Sequence, residues 1–449
     1  MVKGKKVIKK KVNGDIPKEE EKISARRAAR VAKKIAQAKK SWQMGANWWS
    51  EGKVNLLDLG LTWLLSLYLV WPFFGREAFV TSYSGPVIPV LAGLITWSGL
   101  PLTYAVEVVN IVFFLLFPLA FYFFIKKVSQ NNLVALLAVL VVSLPIAPFA
   151  GARIRSAFFS VEGPHMASLA VVPIAVYGLI SFLKDGGIKS LLIATFTSVL
   201  VGLISPFGLL TYFIFAIMVV FSEVLLGHGR LKIFRALIVL LMMGGLSSFW
   251  YNPRFFLWLL TGSMGMELKV MVARLLPVSF VTVPIFGVFG YLLFDRKPKL
   301  QPLFLACSLT LGFMVIVLTG GGFMPSTPSR YIPELGLALA FLLSVVAERA
   351  WELIKERDWR WKKIRRDVWA NGLLLGLIAG LVWGIWHGRD HVLAYERGVL
   401  GWWTGVSRGE IWRARDEFGG WHRLLGYLIS LITLGLSGWL WKKTKAKVR

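Results

Sequence analysis

Residues Gly151–Val172 read GARIRSAFFSVEGPHMASLAVV. One long apolar run ends just before this stretch, and another begins at about Met166. Between them lie Arg153, Arg155, Glu162 and His165, with Gly163 and Pro164 as turn residues. Ionisable side chains wedged between two membrane spans are costly to hold against lipid, and persist where they line a polar cavity. The stretch therefore reads as a loop between two spans, forming one wall of a site at the outer membrane face.

The composition agrees with spans on both sides. Of 449 residues, 56% are hydrophobic and the mean hydropathy is +0.63, against about 45–50% apolar in soluble domains. The 20 Trp and 31 Phe supply the aromatic excess of membrane–water interfaces. The expected fold class is an all-α polytopic integral membrane protein. Lys and Arg number 52 against 24 Asp and Glu, a net charge of +28. Most of that excess lies in the short segments that face the cytoplasm, which marks topology rather than a nucleic-acid partner. Its expected contacts are anionic lipid head groups. Cys307 is the only cysteine, so no intrachain disulfide forms. The first apolar run starts near Val54, so no cleavable signal peptide of ordinary form is expected.

Residues 1–53 form a basic head. Within it, Val31, Ile35, Ala38 and Trp42 mark an amphipathic helix crowded by Arg26, Arg27, Arg30, Lys33 and Lys34. About twelve transmembrane helices follow at ~20 residues each: Val54–Phe74, Leu102–Ile125, Leu133–Ala150, Ala167–Leu183, Leu191–Ser205, Phe207–Leu226, Ala236–Trp250, Leu276–Phe294, Pro302–Thr319, Tyr331–Val346, Asn371–His387 and Leu424–Trp441. Ser205-Pro206-Phe207-Gly208 is the turn of a hairpin. Val87–Leu100 is apolar but too short to span, and reads as a surface-lying or re-entrant helix in the first outer loop. The chain divides into the head (1–53), a transmembrane core (54–347), a basic cytoplasmic interfacial loop (348–370), and a C-terminal helix pair with an outer amphipathic flap (371–449). The Lys and Arg bias puts both termini in the cytoplasm of a multi-pass protein of the plasma (inner) membrane.

Few ionisable residues fall within the spans. Asp58 and Glu223 lie near cytoplasmic ends and are expected to snorkel to the interface. Glu107 and Glu334 lie near outer ends. Asn110 shares a helix face with Glu107, and Arg330 shares one with Glu334, which suits either a structural salt bridge or a polar vestibule opening outward. The vestibule would collect Glu77, Glu107, Glu162 and Glu334 with Arg153, Arg155, His165, Arg254 and Arg330. Carboxylates and a histidine beside arginines suit a site that binds a phosphorylated anion and deprotonates a hydroxyl. No metal-ligand spacing, phosphate-binding glycine loop, dinucleotide fingerprint or GxSxG elbow occurs, so neither a metal nor a cofactor is expected.

The layout resembles the GT-C superfold of polytopic membrane glycosyltransferases. The resemblance rests on the basic start, the long first outer loop Gly75–Pro101, the stretch Val161-Glu-Gly-Pro-His-Met-Ala-Ser-Leu-Ala-Val-Val-Pro, and the hairpin through Ser205–Gly208. Leu246-Ser-Ser-Phe-Trp-Tyr-Asn-Pro and Thr327-Pro-Ser-Arg-Tyr-Ile-Pro add to it, over roughly Val54–Val346. It implies transfer of a sugar from a polyprenyl-phosphate-linked donor to an acceptor at the outer face. A first-loop carboxylate, here Glu77, would act as base, with His165 assisting and the outer arginines on the carrier phosphate. A multi-span transporter or lipid flippase of envelope biogenesis is the alternative, and a non-catalytic envelope scaffold the third reading.

Overall fold

The computed structural model describes residues 56–75, 85–159, 162–254, 298–319, 328–355 and 421–446. The chain separates into Met1–Asn55 and Leu56–Arg449, and only the second unit contains described residues. The basic head with its expected amphipathic helix, the expected spans Leu276–Phe294 and Asn371–His387, and Glu77 lie outside them.

Every regular element among the described residues is helical. In chain order these are α1 (Leu56–Val70), α2 (Val87–Thr96), α3 (Leu102–Ser129), α4 (Asn132–Val142), α5 (Ala150–Ile154), α6 (Gly163–Asp185), α7 (Ile188–Ile204), α8 (Pro206–Leu225), α9 (Gly229–Ser247), α10 (Gln301–Thr319), α11 (Ile332–Lys355) and α12 (Trp421–Ala446). A π-helical turn spans Arg155–Phe159, and short 3₁₀ turns span Trp71–Phe73, Pro298–Leu300 and Pro328–Tyr331. Four stretches, Leu102–Ser129, Gly163–Asp185, Pro206–Leu225 and Trp421–Lys442, are long and apolar enough to cross a bilayer. Large apolar side chains stand exposed along these helices, among them Val112, Leu116, Ile217, Leu431 and Ile432. A helical bundle with a greasy outer surface is a membrane protein.

Side-chain pairs bring several helix ends together. Asn131, beside Lys126 and Lys127 at the foot of α3, donates to Glu348 near the foot of α11. Lys184 at the foot of α6 and Lys232 at the start of α9 meet Glu223 at the foot of α8, and Gln301 at the start of α10 joins them. Arg235 of α9 donates to the Leu183 carbonyl at 2.6 Å. This is the basic end of the bundle. At the opposite end the Tyr251 hydroxyl, just past α9, donates to the Gly202 carbonyl of α7 at 2.7 Å. Burial raises the Tyr251 phenol above its ordinary value, so it remains a donor. Among the described helices, α3, α6, α8 and α11 thus run toward the basic end, while α4, α7, α9 and α10 start from it. The α7–α8 reversal is the expected hairpin, made through Ser205 alone in extended conformation, with Pro206 opening α8.

One span departs from the sequence expectation. The apolar run Leu133–Ala150 is not one helix. It stops at Val142 after 11 residues, ~16 Å of rise in a hydrocarbon core of ~30 Å. Pro145 and Pro148 cannot donate to a helical ladder and disfavour helical geometry before them, so the chain breaks there. The first outer loop contains α2 as expected, and just ahead of it Gly85 donates its N–H to the Ile204 carbonyl at 2.8 Å. A side chain on Gly85 would run into the Leu203 backbone, so only glycine lets α2 start against the hairpin.

Candidate functional site

Opposite the basic end, α6, α8 and α11 bring their first turns together. Gly163 opens α6 against α3, where a Cβ would strike the Asn110 amide. Gly208, in the first turn of α8, sits against Ser168 of α6 in the same way. These two close approaches set the heights of Glu162, His165 and Thr211.

His165 Nε2 lies 2.6 Å from Glu334 Oε1, with side chains 1% and 0% exposed. The Thr211 hydroxyl donates to the same oxygen at 2.9 Å. With Nε2–H given to the carboxylate, a neutral imidazole presents its lone pair at Nδ1. His165 Nδ1 and Glu334 Oε2 are both buried without a hydrogen-bond partner among the described residues. The rings of Phe207 and Tyr331 stand 6.2 and 5.8 Å from the imidazole. Arg330 shares this wall. Its guanidinium lies 3.8 Å from the Phe207 ring centroid, and its Nε and Nη2 donate to Glu162 Oε1 at 2.9 and 2.5 Å. Two acid–base pairs thus flank one phenylalanine.

Four residues of the expected vestibule, Glu162, His165, Arg330 and Glu334, therefore converge. Their pairing differs from the sequence reading: Arg330 meets Glu162, not Glu334. The four-residue spacing implies a shared face only within one helix, and the 3₁₀ turn Pro328–Tyr331 precedes α11. Glu107 is buried on α3, one turn from Asn110. Arg155 is exposed on the π-helical turn. Arg254 is exposed just past α9, with Nη1 3.2 Å from His422 Nε2 of α12. Arg153 is 2% exposed. It donates to the Val142 carbonyl at 3.1 Å and lies 4.7 and 4.1 Å from the Phe114 and Phe117 ring centroids.

Sequence reasoning missed Thr211, Phe207 and Tyr331. Thr211 is a lone hydroxyl in an apolar helix, five residues past Pro206, a signal too common to single it out.

At the basic end Glu223 does not snorkel. It is 1% exposed. Its Oε1 accepts from Gln301 at 2.7 Å and lies 3.4 Å from Lys184 Nζ, while Oε2 lies 2.8 Å from Lys232 Nζ. Three helices supply its partners, so burial is compensated and the carboxylate need not reach water. Among the described residues no His, Cys, Asp and Glu group could hold a metal ion.

No protein-family model matches the chain, and no curated protein matches it.

Proposed function

We propose that this protein is a membrane glycosyltransferase that moves a sugar from a polyprenyl-phosphate carrier to a hydroxyl acceptor at the outer membrane face. The observation that carries this reading is the bare His165 Nδ1, in a buried pair with Glu334 whose other oxygen is also unmet. An imidazole oriented by a carboxylate through one nitrogen is a general base at the other. The acceptor proton passes to Nδ1, and the acceptor oxygen bonds to the anomeric carbon. The bond from that carbon to the phosphate oxygen breaks, with its electron pair leaving on the carrier phosphate. Glu334 stabilises the imidazolium so formed, and Thr211 holds the carboxylate in place. The Lys-rich end faces the cytoplasm in this reading and binds anionic lipids, twelve spans complete the bundle, and α2 lies in or re-enters the outer leaflet.

Sugar transfer in isolated membranes tests it, with His165→Gln and Glu77→Gln compared. Loss in the first identifies the base, and full retention in both removes both residues from the chemistry. A second reading, lipid or solute translocation, is favoured by one observation: a span broken at half its depth beside a buried arginine, a pattern of transporter sites. Flux into reconstituted vesicles without covalent transfer would favour it.

A further inference from the structure

The break after α4 leaves an unusual set of groups inside the bundle. Arg153 stacks on Phe114 and Phe117, in the middle turns of the 28-residue α3. Its Nη2 donates to the Val142 carbonyl, the last of α4, ~16 Å from the basic end of that helix. Arg153 therefore sits near the centre of the bilayer. No carboxylate among the described residues pairs with it, and its Nε and Nη1 have no acceptor. The neighbouring Ser143 is fully buried, and its hydroxyl is unpartnered too. The two phenylalanine faces attract the cation but give its N–H groups nothing to donate to.

A charge at bilayer depth without a counter-ion marks a functional position. The surroundings identify what neutralises it. Leu144, Pro145, Ile146 and Ala147, which follow Ser143 directly, are all exposed and apolar. Gly336 of α11 abuts the Pro148 carbonyl and holds this loop against the bundle. An exposed greasy loop thus begins directly after the buried Ser143.

We propose that Arg153 and Ser143 form an intramembrane anion site for the phosphate-monoester head of a single lipid, entering sideways over Leu144–Ala147. Three unmet donors, Nε, Nη1 and the Ser143 hydroxyl, match the three terminal oxygens of a phosphate monoester, whereas a carboxylate offers two. The site needs no sugar transfer, and would hold in a protein that only moves or senses such a lipid.

The test uses the full chain in nanodiscs of neutral phosphatidylcholine, with farnesyl phosphate, farnesol and inorganic phosphate as probes. Farnesyl phosphate binds saturably, farnesol at least tenfold more weakly, and inorganic phosphate at least a hundredfold more weakly. Arg153→Gln lowers farnesyl phosphate affinity at least tenfold, and Ser143→Ala about threefold. His165→Gln leaves this binding intact while abolishing transfer, so the two proposals fail separately. Equal binding of farnesol and farnesyl phosphate overturns the anion site. Inorganic phosphate binding as tightly as farnesyl phosphate overturns the lipid. Should Arg153→Gln not fold, Ser143→Ala decides, and wild-type affinity in it overturns the proposal.

Discussion

Glu223 and Glu334 are the same residue, buried to the same degree, at opposite ends of one helical bundle. Their surroundings differ in one respect. Both oxygens of Glu223 are engaged, by Gln301 and Lys184 on one side and Lys232 on the other. Glu334 engages one oxygen twice and leaves the other bare, beside a histidine that also keeps one nitrogen bare. A complete set of partners ties helices together. An incomplete set keeps capacity for something the fold itself does not supply. Burial alone would have ranked the two sites equally, and only the tally of met and unmet atoms separates them.

Substitutions can break that contrast or sharpen it. The largest expected effect is on chemistry: His165→Gln lowers sugar transfer by ~10²–10⁴-fold while the melting temperature in detergent stays near wild type. If the melting temperature falls along with transfer, the outer cluster is a second structural knot and the contrast disappears. Next comes Glu223→Ala, which strips the 12%-exposed Lys232 of its carboxylate, while Lys184, 36% exposed, can turn to water; it costs ~2–3 kcal/mol in reversible unfolding. Gly336→Ala forces a methyl into the Pro148 carbonyl, destabilises by ~1–3 kcal/mol, and weakens farnesyl phosphate binding by shifting the loop. The smallest is Lys232→Met at ~1–2 kcal/mol, because it bares Glu223 Oε2 while Lys184 and Gln301 keep Oε1. A Lys232→Met cost equal to that of Glu223→Ala would show that the basic knot has no redundancy.

The sequence made the α7–α8 reversal legible. Ser205-Pro206-Phe207-Gly208 announces a reversal because proline opens a helix and glycine allows close packing. The structure places Gly208 directly on Ser168. The gathering of Glu162, His165, Arg330 and Glu334 was also legible, since each falls at the same end of its apolar run. Their pairing was not. Helix spacing predicts neighbours only where the helix is continuous, and Arg330 lies in a 3₁₀ turn ahead of α11. Thr211 was invisible because a hydroxyl gains meaning from what faces it. The break at Val142 was written in Pro145 and Pro148, yet an apolar count over Leu133–Ala150 registers greasiness and ignores missing N–H groups. Glu223 was misread for a related reason: Lys232 reaches it across the α8–α9 turn, but Lys184 and Gln301 arrive from α6 and α10, distant in the chain.

The 11 residues of α4 carry a consequence for how the protein is made. A segment that crosses only half the hydrocarbon cannot partition into the bilayer by itself, so it must enter as the second arm of a helical pair with α3. Its other packing partner is α11, clasped to it through Asn131 and Glu348, and α11 leaves the ribosome some two hundred residues later. Until then α4 waits with one flank uncovered. A nascent chain cut short before Ile332 should therefore keep α3 in the membrane but leave α4 prone to slip back out.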